Sequence, residues 1–325
     1  MNKINLLSKQ LALAAALSLV AVPLYAQNWP SRTVRIIVPY AAGGNTDFTA
    51  RTVGAKLSDM WGQQVIVDNR PGGGTNIGSE LAATAAPDGY TLFMGGASNA
   101  VNMTLYSKPP YNTLRDFAPV VWCVQGAAIL AVHPSVPAKN LKELIALAKA
   151  KPDSLNFATA GLGSSNHMAG ELFKMMAGIK ITHVPYKGNT PSITDTIAGN
   201  VEMVFSGVPA LIPHMKSGRL RGLAISSLER FDAVPEIPTF DESGVKGYET
   251  TNWFGLMAPI KVPKEVITRV NADTNKVLTG NEVKTKFENA GINPKGGTPE
   301  FFDKFIRAEI AKYERVIKKA GIKPL

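Results

Sequence analysis

Short runs of apolar and β-branched residues alternate with helical patterns along most of this chain. Helical patterns are predicted over 46–60, 77–85, 141–151, 166–177, 192–198, 210–217 and 299–320. The runs that predict strands are VRIIVP, QVIVDN, YTLFMGG, AILAVHP, LNFATA, ITHVPY, VEMVFSG, LRGLAISS and FGLMAP. Several are apolar throughout, as expected for a sheet covered on both faces. The alternation predicts an α/β fold.

The first residues, MNKINLLSKQLALAAALSLVAVPLYAQ, have the pattern of a secretory signal peptide with cleavage after Ala26. Their apolar core, residues 11–22, is too short to span a bilayer. No later segment has the run of about 18 apolar residues that a membrane helix requires. We therefore expect an exported, soluble, periplasmic protein in which 1–26 is the signal peptide.

Charge and cysteine content limit the possible partners. Removal of 26 of the 325 residues, with two of the 35 basic groups, leaves 299 residues with 33 basic and 25 acidic groups, a formal charge of +8. The basic residues are scattered beside acids at helical spacing, which is typical of solvated helix faces and not of a nucleic-acid site. Cys123 is the only cysteine, so no internal disulfide is possible.

Three passages place small residues between a strand and a helix: VPYAAGGNTD (38–47), FATAGLGSSNH (157–167) and VPYKGNTPS (184–192). A helix start leaves backbone N–H groups without partners and carries partial positive charge. Glycine and alanine before such a start allow a ligand to approach those amides. The first two passages also supply hydroxyls or amides from Asn45, Thr46, Ser164, Ser165 and Asn166. They predict a carboxylate held between two turns, although ordinary tight connections have a similar composition. The first and third passages both contain VPY followed by a glycine and a threonine two residues apart. This similarity suggests that the two turns have the same structural role.

Several single residues have two readings. Asp47 either offsets the helix dipole or orders water or a ligand hydroxyl, and His167 either belongs to a polar network or touches the ligand. Aromatic residues at strand ends pack more often than they line a cleft, which leaves both readings open for Tyr40, Tyr186 and Phe205. Ser98 and Asn99 follow a strand end, where open α/β sheets bind ligands, but a polar loop is the alternative.

Signatures of catalysis and of cofactor binding are missing from the sequence. The four histidines do not form HExxH or HxxH, and no GxSxG occurs. PGGGTNIG (71–78) lacks the spacing of a dinucleotide fingerprint and the Lys-Ser/Thr of a P-loop, and predicts a surface loop before a helix. We expect a protein that is not an enzyme and that requires no metal or organic cofactor.

Nearly the whole chain after residue 26 resembles the substrate-binding proteins of tripartite tricarboxylate transporters, the Bug or TctC type. The resemblance rests on segments such as SRTVRIIVPYAAGGNTDFTARTVGAKL, NRPGGGTNIGSELAATAAPDGYTLFMG, LNFATAGLGSSNHMAGELF, THVPYKGNTPSITDTIAGNVEMVF and WFGLMAP. It implies a type II periplasmic binding protein with two α/β lobes, joined by crossover strands, that closes on a carboxylate. The implied lobes are 27–125 with 228–325, and 126–227 inserted between them.

The resemblance also implies where the ligand binds. From the first lobe it implies Tyr40, Ala42, Gly43, Gly44, Thr46 and Asp47, and from the second Ala160, Gly161, Ser164, Ser165 and His167. Ser98, Tyr186, Phe205 and Ser206 are further candidates. Many relatives have an acidic residue after the strand that matches VEMVF in this chain. This chain has Ser206 and Gly207 there instead, and the lack of an acidic residue favours ligands without an amino group.

The implied function is capture of a di-, tri- or aromatic carboxylate by a monomer and its delivery to the membrane subunits of a tripartite tricarboxylate transporter. A ligand sensor that docks on a periplasmic sensor kinase is the alternative within binding proteins. The alternative outside the binding proteins is an enzyme built on the same fold.

Overall fold

The computed structural model describes residues 29–319 and 321–325, so the predicted signal peptide lies outside the described residues. Strands and helices alternate, and the strands form two sheets. The strands are β1 (Val34–Val38), β2 (Val65–Asn69), β3 (Thr91–Gly96), β4 (Phe117–Gly126), β5 (Ala128–Val132), β6 (Asn156–Thr159), β7 (Thr182–Pro185), β8 (Met203–Gly207), β9 (Arg221–Ile225), β10 (Asn252–Pro259) and β11 (Ile292–Pro294). The predicted α/β class is confirmed.

The helices lie in the connections between these strands, except the last helix, which follows β11. They are α1 (Asn45–Trp61), α2 (Asn76–Ala83), α3 (Ala97–Leu105), α4 (Thr113–Asp116), α5 (Leu141–Ala150), α6 (Ser165–Ala177), α7 (Asn189–Ile197), α8 (Val208–Lys216), α9 (Lys264–Thr279), α10 (Asn281–Asn289) and α11 (Pro299–Lys319). Among the described residues, no helix is both long enough and apolar enough to cross a membrane.

The first sheet has six strands in the order β11-β4-β10-β3-β1-β2. β1 is parallel to β2 and β3, and β10 is antiparallel to β3 and β4. The second sheet has five strands in the order β7-β6-β8-β5-β9, with β6 parallel to β7 and β8. Carboxyl ends of parallel strands lie at one edge of a sheet, so the turns that follow β1 and β3, and those that follow β6, β7 and β8, are grouped in space.

Both sheets are buried on both faces. In β1, Ile36 and Val38 pack with α1, α9 and α10, whereas Ile37 packs on the opposite face with α3 and α11. In β8, Phe205 packs on the face covered by α5 and α6, and Val204 packs on the face covered by α7 and α8. This two-sided burial explains why these strands read as continuous apolar runs and not as alternating patterns.

The chain crosses between the sheets twice. The first crossing is immediate, because β4 ends at Gly126 and β5 begins at Ala128. The second crossing lies between β9 and β10. The segment after β9 first packs on the second sheet. The Ile225 amide donates to the Pro238 carbonyl at 2.9 Å, and Phe240 stacks on Tyr248 in the core of that sheet. This packing favours a boundary near Asn252, later than the predicted 228. The division into lobes itself stays a prediction.

Some elements did not follow from the sequence pattern. β4 contains Pro119, which argues against a strand, but Pro119 pairs with Met257 beside an irregularity in the register, where proline is tolerated. Ser98 and Asn99 lie in the first turn of α3 and not in a loop. α9 and α10 follow each other almost directly, separated only by Gly280.

Phe302 on α11 provides a test of how the last helix holds the first sheet. Its side chain is fully buried, and a Cβ at Gly255 would lie 2.3 Å from its ring, so β10 and α11 approach closely at this point. Phe302→Ala should lower the free energy of unfolding by about 3–5 kcal/mol, because it removes a large ring from a packed core. The neighbouring Phe301 is 53% exposed. Phe301→Ala should lower it by about 1 kcal/mol or less. Urea unfolding followed by circular dichroism measures both, and equal effects would contradict this packing.

Candidate ligand-binding site

A cavity of about 20 Å³ lies between the two sheets. A volume of this size holds about one water molecule, so the two sheets are closed against each other in this structure. Its lining comes from the turns after β1, β6 and β7 and from the start of β10. The lining residues are Tyr40, Gly44, Asn45, Thr46, Ala160, Ser164, Ser165, Asn166, Asn189, Asn252 and Phe254.

α1 presents its amino terminus to this cavity. Gly44 precedes the helix, and no side chain caps it. The first backbone N–H groups of a helix have no partner within the helix, and the dipole adds partial positive charge. Because Gly44 has no side chain, these amides are open to a ligand in the cavity.

α6 begins at the same cavity from the second sheet. The Ser164 hydroxyl caps the helix by accepting from the His167 amide at 3.2 Å, and it donates to the Gly161 carbonyl at 2.7 Å. Gly161 has φ +129°, and a Cβ there would lie 2.7 Å from the Tyr186 carbonyl oxygen. The turn thus needs glycine to pack beside the turn after β7.

α7 is the third helix that starts at the cavity. Gly188 precedes it without a side-chain cap, and its first residue, Asn189, lines the cavity. The sequence reasoning did not include Asn189, Asn252 or Phe254 in the site. The signal for Asn189 was the repeated VPY and G.T pattern, which places this turn in the same structural role as the turn after β1. No comparable signal marked Asn252 or Phe254, which lie within an apolar strand.

Three amide side chains form a chain along the cavity wall. Asn252 donates to the Asn166 side-chain oxygen at 3.2 Å, and Asn166 donates to the Asn189 side-chain oxygen at 3.1 Å. Asn252 belongs to the first sheet, whereas Asn166 and Asn189 lie in the first turns of α6 and α7, which pack on the second sheet. The chain therefore links the sheets through the site.

Further contacts close the sheets around the site. The Ala41 amide donates to the Lys187 carbonyl at 3.0 Å, and the Thr190 hydroxyl donates to the Ala42 carbonyl at 2.7 Å. Asn45 packs against Gly207 so closely that a Cβ at residue 207 would lie 1.4 Å from Asn45 Nδ2. These contacts hold the turn after β1 against the segment that follows β7 and against the end of β8.

Comparison with known proteins identifies the family. The family profile described as TctC, tripartite tricarboxylate transporter family receptor, matches residues 49–322. The chain belongs to this family. It is 36% identical to protein BugT of Bordetella pertussis over 306 residues, which cover 94% of each chain.

Two similar proteins have been solved with carboxylates. Rpa4515 of R. palustris, solved with adipate, is 37% identical, with a TM-score of 0.89 over 92% of this chain and 100% of that one. MatC of Rhodopseudomonas palustris, solved with bound malate, is 29% identical, with a TM-score of 0.85 over 89% of this chain and 100% of that one. The predicted family and fold type are therefore confirmed.

The cavity brings together part of the predicted site of this receptor. Its lining includes the predicted residues Tyr40, Gly44, Thr46, Ala160, Ser164 and Ser165. Burial raises the pKa of Tyr40 to about 12, so its phenol stays neutral beside the cavity. Ser98 is buried next to Tyr40 but does not line the cavity.

Other predicted residues lie around the cavity but not on its surface. Ala42 and Gly43 are exposed at the outer side of their turn. Tyr186 donates to Asp195 on α7, Phe205 packs in the core of the second sheet, and Ser206 is buried on β8. Of the two interpretations of Phe205, packing in the core agrees with its position, because its neighbours are Phe157, Phe173 and Phe240.

Asp47 is hydrogen-bonded to neighbouring groups of the first sheet and of α1. Its carboxylate accepts from the Gly43 amide, from Arg51 Nε and from Asn69 Nδ2, at 2.9, 2.9 and 3.0 Å. Burial by itself raises the pKa of Asp47, but the hydrogen bonds from Arg51, Gly43 and Asn69 outweigh it and lower the pKa below its usual value. Asp47 therefore remains ionised and shapes the turn after β1.

His167 lies beneath the turn after β6 and stacks on His183, with ring centroids 4.1 Å apart. Its Nδ1 accepts from the Gly163 amide at 3.3 Å, and His183 Nε2 contacts the Thr159 hydroxyl at 2.7 Å. Burial lowers the pKa of His167 to about 4 and that of His183 to about 2. Both rings are neutral at pH 7.

Within residues 29–319 and 321–325, no cluster of three or more His, Cys, Asp or Glu side chains is arranged to hold a metal.

These two pKa shifts predict how stability depends on pH. Because each histidine has a lower pKa in the folded than in the unfolded protein, the unfolded state binds more protons below about pH 6.5. The free energy of unfolding should fall by about 2 kcal/mol per histidine between pH 7 and pH 5. His167→Gln should roughly halve this loss. Urea unfolding at both pH values measures it, and parallel pH curves for the variant and the parent protein would contradict the prediction.

Proposed function

We propose that this protein is a periplasmic solute-binding protein that captures a small carboxylate between two lobes and delivers it to the membrane subunits of a tripartite tricarboxylate transporter. One observation carries the proposal: α1, α6 and α7, from both sheets, start at the same closed cavity. Helix starts with small flanking residues are sites for anions.

The chemistry of the lining suits a carboxylate bound without a cation. Among the described residues, the lining consists of amide, hydroxyl, aromatic and small side chains, with no lysine or arginine. Micromolar binding needs about 8 kcal/mol, and a hydrogen bond to a charged group contributes roughly 1.5–3 kcal/mol. Four to six such bonds from backbone amides and polar side chains would suffice.

The two-sheet arrangement supports closure on the ligand. In this proposal the lobes comprise the first sheet with its helices, and the inserted second sheet with the connection up to about residue 251. The crossings at 126–128 and near 251 would serve as the hinge. The contacts of the turn after β1 with Lys187 and Thr190 would form on closure.

The related receptors support the ligand class. Adipate and malate, in the structures of Rpa4515 and MatC, are both small dicarboxylates. We therefore assign this chain to small carboxylates and not to sugars or peptides. The predicted signal sequence at 1–26 supports export to the periplasm.

The binding part of the proposal is tested by titration calorimetry against mono-, di- and tricarboxylates, after ligand has been removed by unfolding and refolding. Mass spectrometry of the released material identifies the native ligand. Saturable binding of a carboxylate is the expected result, and the absence of binding to every carboxylate by folded protein would overturn the proposal. Uptake of the bound compound by cells with and without the gene tests delivery.

Asn189→Asp tests whether the cavity receives an anion. The substitution keeps the oxygen that accepts from Asn166 but introduces a negative charge at the start of α7. Carboxylate affinity should fall by about 100-fold or more, since two like charges would share a closed cavity. Asn281→Asp is the matched control, because Asn281 is the exposed first residue of α10. It should leave affinity unchanged, and equal effects of the two changes would contradict the site.

Gly44→Val tests whether the start of α1 is open to the ligand. A Cβ at residue 44 would make ordinary contact with Asn189 at 3.4 Å, so the added methyl groups would occupy the cavity beside the amides. Affinity should weaken by roughly 3 kcal/mol. Ala42→Val, on the exposed side of the same turn, should have little effect. Calorimetry gives both values, with circular dichroism to verify folding; normal binding by folded Gly44→Val protein would refute this placement of the ligand.

A further inference from the structure

Two apolar side chains next to the second sheet reach into the core of the first. Leu162 lies in the turn after β6, and Met168 lies on α6. Met168 is 2% exposed and belongs to the apolar cluster that α3 and α11 form on the first sheet, and Leu162 packs against the same cluster. The next residue of α6, Ala169, belongs instead to the core of the second sheet. The start of α6 therefore packs into both sheets.

The turn after β6 lies directly against α3. Gly163 in this turn has φ +75°, a conformation that other residues rarely adopt. A Cβ at Gly163 would lie 2.5 Å from Asn102 Oδ1 and 3.1 Å from Leu105 Cδ2, both on α3. Only glycine allows this approach, which brings Leu162 and Met168 to the cluster.

The glycine-rich loop before α2 contacts the same turn. Residues 72–75 of this loop all have positive φ, between +58° and +126°. The β-branched Thr75 is strained in this conformation. Asn102 Nδ2 holds the loop by donating to the Gly74 carbonyl at 2.9 Å, and a Cβ at Gly74 would lie 3.0 Å from the Leu162 carbonyl oxygen. The loop and α3 together form the surface that receives the turn after β6.

The contact between the two side chains and the cluster is separate from the ligand cavity, because neither Leu162 nor Met168 lines it. In the proposed division, both side chains belong to the second lobe and the cluster belongs to the first. Separation of the lobes would transfer both side chains to water, and exposure of apolar surface is unfavourable. The contact therefore favours the closed form whether or not a ligand is bound.

We infer that Leu162 and Met168 form an apolar latch that holds the two lobes closed and raises the affinity for every ligand by the same factor. The inference rests on the part of the proposed function in which the lobes separate to admit a ligand. The ligand makes its own contacts in the cavity, and the latch adds a free energy of closure that does not depend on the structure of the ligand. Selection among ligands belongs to the cavity, and the latch sets the scale of affinity.

Truncation of Met168 tests the latch. Met168→Ala should weaken binding by roughly 10- to 100-fold, because the closed form loses a buried methionine side chain that the open form exposes. Met168→Leu keeps most of the volume and should bind within about threefold of the parent protein. Met175→Ala is the matched control, since Met175 lies on the same helix and is 39% exposed. It should leave the affinity unchanged.

Titration calorimetry with malate, succinate, adipate and citrate as probes measures the loss of affinity for each acid that binds. The latch predicts one factor for all of them, whereas loss of a direct ligand contact would affect the acids differently. Stopped-flow fluorescence should show that the ligand dissociates faster by a similar factor. Circular dichroism verifies folding. Leu162→Ala should weaken binding by about tenfold and carries the test if Met168→Ala does not fold.

The spacing of the lobes can also be measured without a ligand. Spin labels on Lys108→Cys, beyond α3, and on Lys142→Cys, on α5, would lie at exposed positions of the two lobes, and the native Cys123 is buried. Electron paramagnetic resonance gives the distance between the labels. In the ligand-free protein, Met168→Ala should shift the distances towards the open form, and Met175→Ala should not.

The outcomes separate this inference from the proposed function. If folded Met168→Ala protein binds the probes as tightly as the parent protein, or if only one of several bound acids is affected, the latch is wrong and the carboxylate receptor stands. If no carboxylate binds at all, the proposed function fails and the label distances decide on the latch. A shift in Met168→Ala protein that Met175→Ala lacks would then support it, and equal distances would overturn it.

Discussion

The unpaired backbone amides at helix starts are the constraint on which the rest of this structure depends. α1, α6 and α7 direct their amino termini at one cavity, and the residues before α1 and α7 are glycines that leave those amides uncovered. Such amides cannot satisfy each other, and they need an acceptor when the sheets close. The proposed carboxylate supplies that acceptor, which ties closure of the sheets to the presence of an anion.

The polar side chains near the cavity have two different structural roles. Asp47 and His167 lie near the cavity but serve their own turns: Asp47 receives Arg51, Asn69 and the Gly43 amide, and neutral His167 accepts from the Gly163 amide. They hold the backbone in position, while the chain from Asn252 through Asn166 to Asn189 joins the sheets along the cavity wall. The groups that position the backbone are therefore different from the groups that join the two sheets.

Local patterns predicted much of this arrangement. The βα turns before α1 and α6 were recognisable from glycine, alanine and hydroxyl residues at helix starts, and the alternation of elements predicted the α/β class. Asn252 and Phe254 could not be predicted in this way, because they belong to β10, which joins the site only through its pairing with β3 and β4. β4 could not be predicted either, because it contains Pro119. The irregularity in register near Met257 that accommodates this proline arises only when β4 pairs with β10. Contacts between distant segments leave no local signal.

Gly207 has a consequence for the energetics of closure. Asn45 occupies the space where a Cβ at residue 207 would lie, so the start of α1 and the end of β8 are in direct contact at this glycine. An added side chain there would push α1 and β8 apart. The apparent dissociation constant of a closing protein scales inversely with the fraction of molecules able to close. In the proposed mechanism of closure, side chains of increasing size at this position should therefore weaken the affinity step by step and report the free energy that separates the open and closed forms.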